Sequence, residues 1–196
     1  MYIELGTESS ATAELKFTFV GTASRTYEIK VTQYRCDSAS RPPEGCLQYH
    51  TGVEGRLTTF NFGEDGHLPN QNYKICVRQE MGFCCNKYSI CDSTAFELSN
   101  VAADADPDTA GVGTACATDY LIIEASSASG QLADAQNRYC GGVLNDFSTG
   151  TASQAIQDCT PPFYVGVVTN DPESEDAGME TDPQGGACLN YVQIPC

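Results

Sequence analysis

Eleven cysteines in 196 residues constrain this chain more than any other feature. They are scattered along the chain rather than grouped in the repeated CxxC pairs that bind zinc, and thiols at that density suit no reducing compartment. The reading is a secreted, extracellular protein in which disulfides supplement the hydrophobic core. The count is odd, so at least one cysteine has no partner inside the chain.

Charge narrows the class further. Ten basic against 26 acidic residues give a net charge of −16. Nucleic acid and anionic membrane surfaces repel such a chain. The imbalance sits in the second half, where Arg138 is the one basic residue after position 91; it reads as a boundary or change of role near Cys91, or as acidic surface loops that keep a secreted protein soluble. No apolar run is long enough to span a bilayer. Met1 to Gly6 carry neither a basic nor an apolar signal region, which reads as a mature chain or a fragment. No Asn-x-Ser/Thr site occurs.

The periodicity is that of strands. Leu15–Val20 and Tyr27–Thr32 alternate apolar and polar residues, and further short runs follow at Arg56–Phe62, Tyr73–Arg78, Tyr88–Cys91, Ala95–Leu98, Tyr120–Glu124, Phe163–Thr169 and Leu189–Ile194. They are rich in Val, Ile, Tyr, Phe and Thr and separated by turns such as Glu64-Asp65-Gly66. Short strands at modest spacing predict an all-β fold, an antiparallel β-sandwich. Ser127–Asn137 could form a helical turn or two, or a loop. Ala102–Thr114 and Asn170–Gly186 are acidic, rich in Gly and Pro, and read as loop insertions.

One internal echo stands out. Ile29–Cys36 and Asn190–Cys196 both close with Gln-x-x-Cys, each as the last strand of a module would. Residues 1–36 are then expected to be the C-terminal strands of an upstream module, with its beginning absent, and residues 37–196 one whole module. A missing partner for Cys36, within that module or in another chain, would make the odd count even.

Four segments in order carry a family resemblance: Cys116-Ala-Thr-Asp119, Arg138-Tyr-Cys140-Gly-Gly, Phe163 to Asp171, and Gly186-Ala-Cys-Leu-Asn-Tyr191. Together they resemble a CUB domain, and Gly45-Cys46 and Tyr73-Lys-Ile-Cys76 resemble its first cysteine pair. Arg25–Gln33, Gly45–Tyr49, Phe60–Phe62 and Asn72–Glu80 look like the secreted CUB proteins of arthropods, in which an earlier CUB-like module precedes the stretch equivalent to Cys36. The resemblance implies a CUB-like jelly roll and the bridges Cys46–Cys76 and Cys116–Cys140. Of the other cysteines, Cys159 is paired here with Cys188 across the late loops, leaving Cys84, Cys85, Cys91 and Cys196 for two more. Neighbours on a strand face opposite ways, so Cys84 and Cys85 are expected to bond separately.

The same resemblance points to calcium, held in such domains by a Glu, the Asp of Cys-x-x-Asp, and an acid after the late strand. Asp119 and Asp171 match the last two roles. The first position holds Ser99, with Glu97 nearby but pointing the other way. Calcium takes six to eight oxygens, so it is carried as an optional ligand and no cofactor is required. Asp104-Ala-Asp106-Pro-Asp108 has the opening spacing of an EF-hand loop, but Thr109 stands where Gly is needed and Ala115 where Glu is needed. It reads as a solvated acidic loop, as do the acids between Asp171 and Asp182.

Nothing points to catalysis. His50 and His67 sit in no nucleophile or metalloprotease motif and read as surface or turn residues, and oxidised cysteines supply no thiolate. The ten Tyr and eight Phe could furnish recognition loops but mostly fit a core. The expectation is a non-enzymatic extracellular module that binds a protein or glycan partner through its sandwich loops. The alternative is a structural subunit of an extracellular assembly or filament, joined by strand addition or an intermolecular disulfide through Cys36. A third reading, the non-catalytic part of a secreted protease, rests on the company CUB domains keep.

Overall fold

A computed structural model describes residues 1–6, 11–18, 21–22, 24–38, 40–63, 67–98, 109–148, 150–170 and 185–196. Its regular elements lie between Cys46 and Pro195. Among the described residues they are two 3-10 turns, Gly113–Ala115 and Leu132–Asp134, and eleven strands: β1 Cys46–His50, β2 Glu54–Thr58, β3 Asn72–Val77, β4 Phe83–Ile90, β5 Phe96–Glu97, β6 Ala110–Val112, β7 Tyr120–Ser126, β8 Gln136–Gly141, β9 Ile156–Asp158, β10 Tyr164–Val168 and β11 Gly186–Pro195. One sheet runs β1-β3-β10-β7-β8-β6, and the other runs β2-β11-β4-β9 with β5 on the start of β11. The sandwich is all-β and held by five disulfides.

Alternation decides which face of each strand enters the core. In β7, Leu121 and Ile123 are buried while Tyr120, Ile122 and Glu124 are only half so. β10 buries Val165 and Val167, and Phe163 enters just before it. Across the sandwich β11 answers with Leu189 and Tyr191, and β4 with Tyr88. Each such side chain contributes roughly 1.5–3 kcal/mol of apolar burial. Tyr88, Tyr139 and Tyr191 are among the largest fully buried side chains, so much of the aromatic content is core. The Tyr139 hydroxyl donates to the Ser126 carbonyl at 2.9 Å, so the buried ring keeps its polar tip satisfied.

The expected antiparallel sandwich forms, with one parallel pair, β1–β3, at the edge of the larger sheet. Several expectations need correction. No described residue of 11–18 or 24–35 lies in a strand, although Leu15–Val20 and Tyr27–Thr32 carry the pattern; Phe19 and Val20 lie outside the described residues. A strand needs a neighbour to hydrogen-bond, and among the described residues these segments belong to neither sheet. Ser127–Asn137 holds a single 3-10 turn, Leu132–Asp134. Strands β1, β6, β8 and β9 escaped the sequence reading because they are short or polar: β1 has five residues, Gln136-Asn137-Arg138 opens β8, and β6 and β9 have three residues each, β6 within the stretch read as a loop insertion.

The bridges Cys46–Cys76 and Cys116–Cys140 form as the resemblance implies. The pairing Cys159–Cys188 does not. Cys159 bonds Cys85, and Cys188 bonds Cys91. Strand register is the reason. Asn86 pairs with Asp158, which sets Cys85 opposite Cys159, and Leu189 pairs with Ile90, which sets Cys188 opposite Cys91. Cys84 turns the other way and bonds Cys196, so the adjacent cysteines do bond separately.

Candidate functional site around Asp119

One end of the sandwich gathers the sequence-selected Asp119. It sits one residue before β7 and is 2% exposed, because Leu121 two residues on must face the core. Its Oδ1 accepts the Asn170 N–H at 2.8 Å, and its Oδ2 lies 3.9 Å from the Nε2 of His67. His67 is itself buried, which corrects its reading as a surface or turn residue. The loop that carries it is stitched to the end of β10. The Thr169 hydroxyl donates to the Leu68 carbonyl at 2.7 Å and accepts the Gln71 N–H at 2.8 Å, while the Asn70 N–H donates to the Asn170 carbonyl at 2.9 Å. Gly186 closes the wall with φ +77°; a Cβ there would collide with the Thr59 hydroxyl.

The second selected acid, Asp171, lies outside the described residues, as do Ser99, Asp104, Asp106, Asp108 and residues 171–184 of the late acidic insertion. Glu97 accepts the Gly185 N–H at 3.2 Å in the described part of that wall. Among the described residues no three His, Cys, Asp or Glu side chains group closely enough to hold a metal. The described residues supply only Asp119 of the two selected acids, and an ion that takes six to eight hard oxygens needs ligands beyond it. The described arrangement is a buried His–Asp contact that ties three loops together.

At the opposite end lies a hydrogen-bond knot that the sequence reading met only as a motif. Gln193 is 3% exposed. Its Nε2 donates to the carbonyls of Arg78 at 2.6 Å and Gly52 at 3.2 Å, and its Oε1 accepts the Glu80 N–H at 2.9 Å. The Glu80 carboxylate accepts the Gly52 N–H and pairs with Arg78, and these contacts, the Gly52 N–H foremost, hold its pKa below the ordinary value. His50 stands beside this knot, edge-on to Tyr191, with its pKa lowered by burial. No described residue at either end forms a nucleophile with a base.

Outside the two ends, the outer face of the larger sheet carries Lys74 over the Tyr164 ring at 4.3 Å and Arg138 over Tyr120 at 4.5 Å. The Tyr164 hydroxyl donates to Glu124 at 2.9 Å.

The model of the animal CUB domain family matches residues 43–194, which span every strand from β1 to the Ile194 position of β11. This chain belongs to the animal CUB domain family. Among solved structures, the full extracellular region of zebrafish Gpr126/Adgrg6 is similar at 14% identity and TM-score 0.43, over 78% of this chain and 15% of that one. The MASP-1 CUB2 domain bound to Ca2+ is similar at 16% identity and TM-score 0.42, over 75% of this chain and 98% of that one. The CUB1-EGF-CUB2 domains of rat MASP-1 match at 11% identity and TM-score 0.44, over 74% of this chain and 42% of that one. The chain thus spans a small part of the first of these and under half of the last. No curated protein matches it. CUB domains are extracellular interaction modules and generally non-catalytic. No described helix is long and apolar enough to cross a membrane.

Proposed function

We propose that this CUB protein is a secreted, non-enzymatic module that binds an extracellular protein or glycan through the loops of its sandwich. The observation that carries the reading is the family match across residues 43–194, joined to a scaffold of five disulfides that suits an oxidising compartment. Loops set on a rigid sandwich are where recognition concentrates. Supporting features are the large apolar side chains held out on its turns: Met81 between β3 and β4, Leu132 between β7 and β8, and Phe147 between β8 and β9, exposed by 98%, 71% and 70%.

The test displays the full chain and the variants Met81→Ser, Leu132→Ser and Phe147→Ser on a sensor and presents extracellular-matrix and cell-surface extracts, with and without glycosidase. Saturable binding that at least one substitution weakens tenfold is expected, and glycosidase sensitivity separates glycan from protein. Equal binding by all variants would remove the loops from the reading.

Calcium at Asp119 and Asp171 belongs to the proposal as an optional ligand. A thermal-unfolding titration checks it: no shift at millimolar calcium would strike both residues. The second reading, a subunit of an extracellular assembly, is favoured by one observation, the exposed free thiol of Cys36.

A further inference from the structure

The two sheets have four edges, and the described residues cover three of them. On β1 the Tyr2 N–H donates to the Leu47 carbonyl at 2.8 Å, and on β6 the Ala110 N–H donates to the Gly150 carbonyl at 2.9 Å. On β9 Gln157 and Ser127 exchange both backbone bonds, at 2.8 and 3.2 Å. The fourth edge is β2. Its register shows which way its backbone points. The Val53 carbonyl accepts the Gln193 N–H at 2.7 Å, and Gly55 and Leu57 stand opposite Tyr191 and Leu189. Bonded pairs alternate in an antiparallel ladder, so the N–H and C=O groups of Glu54 and Arg56 point away from β11. The Thr58 carbonyl shares that edge and accepts the Gln48 side-chain amide at 3.0 Å, which ends the open stretch. Among the described residues nothing bonds the outward backbone of Glu54 or Arg56.

Charged side chains ordinarily guard an open edge against stray pairing, and Glu54 and Arg56 are both exposed. Their signs differ, however, and they flank a glycine. Both stand on the outer face of the smaller sheet, where the Arg56 Nε reaches the Cys188 Sγ at 2.8 Å. Among the described residues neither one forms an ion pair. Gly55 is bare because a Cβ there would lie 2.5 Å from the Tyr191 ring. The middle of the edge therefore presents backbone alone, between one negative and one positive side chain.

We propose that β2 is a self-association edge, on which a second copy of this chain lays its own β2 antiparallel across a twofold axis through Gly55. Glu54 then stands opposite Arg56 of the second copy, and Arg56 opposite its Glu54. Each pair exchanges both backbone bonds and sets a carboxylate against a guanidinium on the outer face. Gly55 meets Gly55 at the axis, where no side chain holds the strands apart. Val53, 42% exposed, comes opposite Leu57 of the second copy. Charge fixes the register. A slip of two residues sets Glu54 against Glu54 or Arg56 against Arg56, and a slip of one sets free backbone groups against groups already bonded to β11. A strand of unrelated sequence lacks this charge order, which is why the occupant is a second copy. One patch serves both molecules, so the contact closes as a dimer and joins the two smaller sheets into one. The inference depends neither on the loop reading above nor on Cys36.

The test is sedimentation equilibrium of the full chain with Cys36 alkylated, so that its exposed thiol links no copies. A reversible monomer–dimer equilibrium is expected. Glu54→Arg and Arg56→Glu each set like charges opposite one another and should weaken the dimer about tenfold. An equimolar mixture of the two variants opposes unlike charges again and should recover the association as a heterodimer. The chain carrying both substitutions should recover it as a homodimer. Both side chains are exposed, so each variant should unfold at the native temperature. The mixture also separates a lost contact from a lost fold, because a misfolded chain is not rescued by its opposite. A native chain that stays monomeric, a dimer indifferent to both reversals, or variants that associate no better mixed than alone would each overturn the proposal.

Discussion

His67 and Asp119 face each other at 3.9 Å, Nε2 to Oδ2, with both side chains 2% exposed. A carboxyl so closed to water depends on the groups around it, among them the Asn170 N–H that donates to its Oδ1 and the imidazole that faces its Oδ2.

Asp119→Ala leaves the Asn170 N–H without this acceptor and removes the carboxyl that faces His67. The expected loss is about 1–3 kcal/mol, or roughly 3–10 °C in unfolding temperature for a domain of this size. Differential scanning calorimetry reads it, and an unchanged midpoint would show that the contact contributes nothing.

Asp158 supplies a pH dependence. Burial raises its carboxyl above the ordinary value, against the lowering effect of the Thr160 hydroxyl and N–H, and Glu124 adds to the rise. The folded state therefore prefers the protonated acid. Its stabilising contribution is full below the unfolded carboxylate value of about 3.9 and is lost as pH rises through the higher folded value. Asp158→Asn keeps an Oδ1 that can accept from Thr160 and cannot ionise. Relative to that variant, the native protein should lose stability steadily on going from about pH 4 toward neutrality; parallel pH profiles would refute the assignment.

Gln193→Ala removes three hydrogen bonds at once and strands the Gly52 and Arg78 carbonyls and the Glu80 N–H. A loss of about 2–4 kcal/mol is expected. Gln193→Glu keeps the acceptor for Glu80 but no donor, and should recover only a part of it. Urea denaturation of the three proteins ranks them.

The cross-links can be checked without substitution. Peptide mapping under non-reducing conditions should find Cys85 with Cys159 and Cys91 with Cys188, never Cys159 with Cys188. Cys85→Ser with Cys159→Ser opens a separation of 74 residues and should lower stability by about 2–4 kcal/mol.

Much of this fold was legible in the chain. Alternation at Tyr73–Arg78, Tyr120–Glu124, Phe163–Thr169 and Leu189–Ile194 marks strands that the sandwich uses, and the Cys116 and Cys140 segments resemble the family that the match confirms. The same alternation at Tyr27–Thr32 produced no strand, because a pattern states which face wants burial and not whether a sheet is there to bury it. At the candidate site, Asp119 could be selected from Cys-x-x-Asp. His67 could not, since 52 residues separate it from Asp119 and only the loop stitched to Thr169 and Asn170 carries it across.

The eleven cysteines by themselves pointed to an oxidised, stapled protein with at least one cysteine left over, and the alternation of apolar residues to an all-β one. Parity and composition are properties of the chain alone. Which sulfur meets which was decided by tertiary structure. Cys85 reaches Cys159, and Cys188 reaches Cys91, because the registers of β4 with β9 and of β11 with β4 place them side by side. A disulfide needs its two Cα atoms within about 7 Å, and only the paired sheet brings residues so far apart in sequence to that distance.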